Sequence, residues 1–292
     1  MTQDTATLGA ARLAHLRTWQ GRTQILHDVV TAAPVRALSA TLDRGDADPV
    51  PGTVLPPLWH WLYFLPAAPQ SELGPDGHPH RGGFLPPVPL PRRMWAGGQL
   101  HWHRPLHVGD VVERSSRIES VTHKAGRSGD LVFVLIKHEI RCDTALALTE
   151  EHDIVFRAAP QPDDPVALPV PAPRDALWTR ELAPDDVLLF RYSALTFNGH
   201  RIHYDRRYVT EVEGYPGLVV HGPLIATLLV DLLRRRRPDA VLRSFSFRAI
   251  RPSYDLHPIS LNGRPTGDGK TVELWAQDHH GWLTMQATAT LT

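Results

Sequence analysis

One segment of the chain is apolar on almost every side of a helix. It opens with Gly222 and Pro223, and eight of the ten residues 224–233 are apolar. Proline is favoured in the first turn of a helix, so the helix is expected to begin here. A helix without a polar face must be buried, so the segment predicts a central helix surrounded by a curved antiparallel sheet. A shorter apolar stretch over residues 55–65 is the expected counterpart in the first half of the chain.

A proline-rich run divides the chain. Six prolines occur within residues 160–173. Proline fixes φ and lacks a backbone donor, so this run is expected to be extended, at about 3.1 Å per residue. We therefore predict an N-terminal domain over residues 1–159, a linker over residues 160–173 and a C-terminal domain over residues 174–292.

The two halves repeat one pattern of sequence. An alternating stretch ends at Arg104 and Pro105, and a similar one ends at Arg251 and Pro252, 147 residues further on. Residues of high strand propensity follow each break, with turn signals between them. The expected strands cover residues 111–121, 131–140, 145–156, 259–261, 270–277 and 282–291, and two further helices are expected over residues 7–19 and 34–42. The repeat predicts an α+β protein with a tandem (double) hot-dog fold, each half a curved antiparallel sheet wrapped around a central helix.

Charge and cysteine content exclude several classes of protein. The 31 Lys and Arg residues balance 31 Asp and Glu residues, so the chain lacks the basic surplus of a nucleic-acid-binding protein. Its single cysteine, Cys142, excludes an internal disulfide and a thiolate-rich metal site. No stretch reaches the roughly 18 apolar residues of a membrane span, and the first twenty residues lack an apolar signal core. We expect a cytoplasmic protein without nucleic-acid or membrane partners.

Polar residues whose side chains could take part in catalysis lie in two neighbouring stretches. Asn198, His200 and His203 lie within six residues, and the pair His221-Gly222 opens the apolar helix. This arrangement resembles the R-specific enoyl-CoA hydratases (hydratase 2) among the MaoC-like hot-dog proteins. Their signature, Gly-Asp-x-Asn-Pro-hydrophobic-His, is followed by a His-Gly pair at the start of the central helix.

The first half carries a second resemblance. Residues 19–22, 55–61 and 81–87 are similar to the dehydratase-like N-terminal domain of a narrower branch of that family. The branch contains the mesaconyl-C4-CoA and itaconyl-CoA hydratases and the mitochondrial 3-hydroxyacyl-thioester dehydratases. The resemblance implies a carbon–oxygen lyase that adds water reversibly to a 2-enoyl-CoA, first of all a branched dicarboxylic one. It implies no cofactor, because the reaction is redox-neutral and CoA is part of the substrate.

The resemblance also implies roles for three catalytic groups. His203 is expected to be the base that deprotonates water, because a neutral imidazole accepts a proton near pH 7. Asn198 stands where the family has aspartate; an amide holds water by accepting a hydrogen bond but cannot take its proton. The backbone N–H of Gly222, at a helix N-terminus, is expected to stabilise the enolate oxygen. His200 is expected to fill a structural place rather than to act as a base.

Substrate contacts and alternatives complete the expectations. Arg92, Arg93 and His221 are the candidate substrate-binding residues, since an arginine would hold an acyl carboxylate by two hydrogen bonds. No metal site is expected, because pairs such as His101 with His103 lack a third ligand. A hot-dog thioesterase and a non-catalytic acyl-CoA-binding protein remain the alternatives. The chain is expected to be either a monomeric pseudo-dimer or a homodimer.

Overall fold

Ten antiparallel strands form one continuous sheet through both halves of the chain. The computed structural model describes residues 8–126, 129–159 and 168–292. The strands in chain order are β1 Thr23–Val29, β2 Arg92–Trp102, β3 Val111–Gly126, β4 Gly129–Cys142, β5 Ala145–Arg157, β6 Trp178–Leu182, β7 Leu242–Ala249, β8 Ile259–Pro265, β9 Thr271–Gln277 and β10 Leu283–Leu291. The helices are α1 Ala10–Arg17, α2 Ala32–Thr41, α3 Asp186–Leu195, α4 Arg206–Glu211 and α5 Gly222–Arg236. The sheet order is β1-β3-β4-β5-β2-β7-β10-β9-β8-β6, so each half supplies one block of neighbouring strands.

The two repeated stretches are the strands that join the halves. β2 pairs with β7, and Leu100 lies opposite Phe245 in the register. Backbones approach so closely here that a Cβ on Gly97 would lie 2.5 Å from the carbonyl oxygen of Phe247. Glycine is therefore required at this position of the junction.

Helix α5 lies in the core of the second half, as the sequence predicts. All ten residues 224–233 are buried, and the helix packs against β6, β8, β9 and β10. Its one buried charge, Asp231, is 1% exposed and accepts hydrogen bonds from Arg44, Arg180 and Arg235. Because Arg44 belongs to the first half, this carboxylate also ties the two halves together.

The first half has no corresponding central helix, and the prediction for residues 55–65 was wrong. Over residues 43–91, all of which are described, the chain forms only the 3₁₀ turns Trp59–Leu62 and Gln70–Glu72. The buried carboxylate of Glu150 accepts a hydrogen bond from Trp61 and lies 3.1 Å from Nε2 of His60. Two prolines precede the turn, and these polar contacts with the sheet hold it where a helix would otherwise lie.

The remaining expectations are met in part. Helix α1 falls within the predicted stretch 7–19, and α2 overlaps the stretch 34–42 but begins two residues earlier. The six predicted strands overlap β3, β4, β5, β8, β9 and β10. Residues 160–167 of the proposed linker lie outside the described residues. The rest of it follows the second half, where Pro171 forms a bridge with Trp282. No helix in the described ranges is long and apolar enough to cross a membrane.

Candidate active site

The loop that follows α3 carries the polar motif. Phe197 has φ of 49°, so the chain reverses sharply after the helix. The side-chain oxygen of Asn198 accepts a hydrogen bond from the backbone N–H of His200 at 3.0 Å, which closes an Asx turn. A 3₁₀ turn, Arg201–His203, follows at once and directs His203 into the protein interior.

His203 is buried in a form suited to accept a proton. The side chain is 8% exposed, and its Nδ1–H donates to the carbonyl oxygen of Val219 at 2.7 Å. This bond fixes the tautomer and leaves Nε2 with a free lone pair. Burial lowers the pKa of His203 to about 4. The imidazole is therefore neutral near pH 7, which a general base requires.

The start of α5 lies against this imidazole. The rings of His203 and His221 stack with centroids 3.7 Å apart and planes 18° apart. His221 is wholly buried, burial lowers its pKa well below 6.5, and its Nε2 lies 2.8 Å from the hydroxyl of Ser193. The structure thus brings the predicted base to the residue that precedes Gly222. His221 thus packs against the ring of His203 and restricts its orientation.

Gly222 presents a free donor at the N-terminus of α5. Its N–H is the first of the helix and donates to no acceptor within the described residues. A Cβ on Gly222 would meet nothing closer than the carbonyl oxygen of Trp95, 4.0 Å away. There is accordingly space beside this donor, and the positive end of the helix dipole lies at the same place.

The two predicted substrate arginines differ in their surroundings. Arg92 packs over the ring of Tyr215 with its guanidinium carbon 4.6 Å from the centroid, and it donates to the carbonyl oxygen of Glu213. The side chain of Arg93 makes no hydrogen bond or ion pair with any residue that the structure describes. Burial lowers the pKa of Arg93 to about 10, and its charge lowers the pKa of His78 and His200. Arg93 is thus a cation near the site without a bound partner, whereas Arg92 stabilises a loop.

Two residues of the first half also lie at the site, although the sequence did not predict them there. Asp76 accepts a hydrogen bond from the backbone N–H of His78 at 3.0 Å and lies 3.1 Å from its Nδ1. The ring of His78 lies 4.1 Å from that of His200, which is 5.4 Å from that of His203. The sequence offers His78 in a loop rich in glycine and proline, but about 120 residues separate it from the catalytic loop.

Three potential metal ligands from the two halves lie close together. The potential ligand atoms of Asp76, His78 and His200 lie within 4.8 Å of one another. The positive charge of Arg93 opposes a cation there, since it already lowers the pKa of both imidazoles. The rings of His101 and of the histidine two residues later lie 6.1 Å apart, and no third ligand among the described residues joins them.

The continuous ten-stranded sheet, the buried helix α5 and the neutral histidine packed at its N-terminus define a hot-dog protein equipped for acid–base chemistry. The family model of hydroxyacyl-thioester dehydratase type 2 matches residues 58–255. The chain belongs to this family. It is therefore a hydratase or dehydratase of acyl thioesters, a lyase, and the predicted family and enzyme class are confirmed.

Individual relatives agree with this assignment. The chain is 48% identical over 277 residues to "Mesaconyl-C(4)-CoA hydratase" of Chloroflexus aurantiacus, covering 94% of this chain and 96% of that protein. It is 28% identical to "Hydroxyacyl-thioester dehydratase type 2, mitochondrial" of Schizosaccharomyces pombe, covering 84% and 91% of the two chains. A solved Mycobacterium tuberculosis protein described as a double hotdog fold superimposes with a TM-score of 0.57 at 14% identity, covering 94% and 96%. The predicted double hot-dog fold is confirmed.

Proposed function

We propose that this protein adds water reversibly to a 2-enoyl-CoA whose acyl group is branched and carries a second carboxylate, of the mesaconyl or itaconyl type. The observation that carries the proposal is the buried, neutral His203 stacked at the N-terminus of α5. The 48% identity to a mesaconyl-C4-CoA hydratase supports the substrate class. By resemblance to the wider family, the addition is syn and gives the R product.

The proton transfers use one imidazole. The Nε2 of His203 removes a proton from water while the hydroxide oxygen bonds to the β-carbon of the enoyl group. The same nitrogen then returns the proton to the α-carbon, so base and acid are one group and the reaction consumes only water. A positioned base of this kind contributes about 10²–10⁴-fold to the rate.

The negative charge of the intermediate collects on the thioester oxygen. The N–H of Gly222 is a free donor with open space before it, and the helix dipole adds to its effect. Loss of such a donor typically costs about 3–4 kcal/mol of transition-state stabilisation. Asn198 is proposed to hold the attacking water by donating its amide N–H to the water oxygen, because its own oxygen already accepts the backbone N–H of His200.

Arg93 is proposed to bind the second carboxylate of the acyl group. A partly buried guanidinium whose side chain makes no direct ion pair among the described residues, although the charge of Asp76 lies close enough to raise its pKa, attracts a carboxylate and would bind it by two parallel hydrogen bonds. Arg92 is less suited to this role because Tyr215 and Glu213 already occupy it. His221 remains a proposed contact through its buried Nδ1, which has no partner among the described residues.

Several further features are proposals of the same kind. The reaction moves protons and no electrons, so the enzyme is proposed to work without a cofactor; treatment with a chelator should leave the rate unchanged. The chain is proposed to be cytoplasmic and to act as a monomeric pseudo-dimer or a homodimer, which sedimentation would distinguish. The domain limits at residues 159 and 174 are likewise proposed, and limited proteolysis between them would test these limits.

The function is tested by following two signals with purified protein. Crotonyl-CoA, mesaconyl-C4-CoA and itaconyl-CoA are each added, and the absorbance of the enoyl thioester and the release of free thiol are recorded. Loss of absorbance without thiol supports the hydratase. Thiol release would indicate the thioesterase, and saturable binding without either signal would indicate a non-catalytic acyl-CoA-binding protein.

Two variants test the roles of individual residues. His203→Ala should lower kcat by about 10²–10⁴-fold, the contribution of a general base, and circular dichroism should show an intact fold. Arg93→Gln should raise KM for the dicarboxylic substrate by about 10–100-fold, as for loss of a charge-assisted bond. Crotonyl-CoA is the matched control for this variant, because it has no second carboxylate. Equal loss with both substrates would contradict carboxylate binding by Arg93.

A further inference from the structure

We propose that His200 is a second catalytic residue, which accepts a hydrogen bond from the attacking water, and that Asp76 and His78 of the first half position it. The inference rests on the proposed hydration reaction. It revises the sequence-based expectation that His200 has only a structural place.

The loop needs a second group that accepts from the water. Water attacked by a base must be held by another acceptor so that its oxygen points at the β-carbon. Asn198 is poorly placed to do this alone, because its oxygen already accepts the backbone N–H of His200 at 3.0 Å. The same Asx turn that uses the amide oxygen projects the next polar side chain, His200, toward His203.

The two imidazoles form a corner of suitable size. Their ring centroids are 5.4 Å apart, and their planes are perpendicular, with an interplanar angle of 90°. A water that donates one hydrogen to each ring needs about 2.7–3.0 Å to each nitrogen. The geometry of the corner therefore permits one water to contact both rings. His221 on the other face of His203 is stacked at 3.7 Å and leaves no comparable angle.

Residues of the first half pack against the ring of His200. The ring of His78 lies 4.1 Å from the ring of His200, and Asp76 holds His78 by two contacts of about 3 Å. Hydrogen bonds to His78 oppose the effect of burial and keep the pKa of Asp76 well below its usual range, so the carboxylate stays ionised. A charged acceptor on Nδ1 of His78 restricts the orientation of that ring.

The backbones of the two loops are also in direct contact. The backbone N–H of Arg201 donates to the carbonyl oxygen of Asp76 at 2.9 Å, and its guanidinium donates to Pro75. A Cβ on Gly77 would lie 1.9 Å from the carbonyl oxygen of Gly199. The two loops are therefore packed too closely to move independently, and the position of His200 depends on the first half.

The electrostatic surroundings keep His200 in its accepting form. Burial lowers its pKa well below the usual range, and the neighbouring His78 and His203 lower it further. Asp76 opposes this lowering, whereas Arg93 adds to it. A neutral imidazole has one nitrogen with a free lone pair, which is what a hydrogen bond from water requires.

The proposed step leaves the proton balance of the hydration unchanged. One proton of water passes to Nε2 of His203 and from there to the α-carbon, and the C–O bond forms at the β-carbon. The other proton stays on the new hydroxyl group, whose hydrogen bond His200 accepts throughout. No oxidant, reductant or second water is used.

The test compares His200→Ala and His200→Gln with His80→Ala, a matched control at an exposed position of the first-half loop. Both His200 variants should lower kcat for mesaconyl-C4-CoA by more than tenfold, within the range for a lost acid–base partner, with KM changed less than threefold. Imidazole added to His200→Ala should restore part of kcat. A loss of tenfold or less in both variants, or no rescue by imidazole, overturns the proposal. The control should retain wild-type kinetics.

The positioning residues give a second readout. Asp76→Asn should lower kcat at unchanged KM, and Asp76→Glu should recover part of the loss, whereas a merely stabilising carboxylate would change the melting temperature and not kcat. If a chelator abolishes activity and Zn²⁺ restores it, the three residues form a metal site and the proposal is wrong. Failure of the proposed function is distinguishable, because then the unmodified enzyme would hydrate none of the enoyl-CoA esters.

Discussion

Acid should unfold this protein in a pH range where its carboxylates are still ionised. His138 and His203 are each 8% exposed, and burial lowers the pKa of each to about 4. An unfolded histidine has a pKa of about 6.5. Below that pH these histidines are protonated in the unfolded chain but stay neutral in the folded protein. The free energy of unfolding therefore falls as the pH falls.

The size of this effect follows from the two pKa values. Between pH 7 and pH 5, each such histidine costs about 2 kcal/mol of stability, or about 4 kcal/mol for the pair. His221, whose pKa also lies well below 6.5, acts in the same direction. The total is a large part of the roughly 5–15 kcal/mol that stabilises a typical domain. Carboxylates contribute little in this window, because their unfolded pKa values lie near 4.

The assay is chemical denaturation at pH 7, 6 and 5, with circular dichroism as the signal. His138→Asn should reduce the pH-dependent loss by about 2 kcal/mol, because it removes one of the titrating groups. His80→Asn, at an exposed loop position, is the matched control, and its loss of stability between pH 7 and pH 5 should match that of the unmodified protein. A change in the free energy of unfolding below about 1 kcal/mol between pH 7 and pH 5 would refute this reasoning.

Two further predictions concern contacts between the halves. Asp231→Ala leaves Arg44 and two other arginines without their buried carboxylate, so it should destabilise the protein by about 3–5 kcal/mol in denaturant titrations. A loss in the free energy of unfolding smaller than that caused by replacing an exposed aspartate with alanine would contradict this. Gly77→Ala should lower kcat by about tenfold or more, because its methyl group displaces the loop at Gly199; unchanged kcat would show that the loops move independently.

Much of the loop that carries Asn198 and His203 could be predicted because its polar residues are close together in sequence. Asn198, His200 and His203 lie on one turn of six residues, and His221 and Gly222 follow at the start of an apolar helix. Residues so close in sequence lie close together in space in any fold. Their arrangement around the N-terminus of α5 is what the pattern of residues indicated.

Other features depend on contacts that sequence patterns do not encode. The apolar stretch near Trp59 satisfies the pattern of a buried helix, yet two prolines and the bonds to Glu150 make it a 3₁₀ turn. Likewise Arg92 and Arg93 are adjacent and chemically identical in sequence. Only the structure shows that Arg92 packs against Tyr215, whereas the side chain of Arg93 makes no hydrogen bond or ion pair among the described residues.

By itself, then, the sequence determined the buried helix α5, the repeated sheet and the identity of the proposed base, because periodicity and local spacing carry that information. Tertiary structure alone decided that Asp76 and His78 stand behind His200. Those residues are about 120 positions apart in the chain, and they meet because the two halves pack together, with β2 and β7 joined in one sheet.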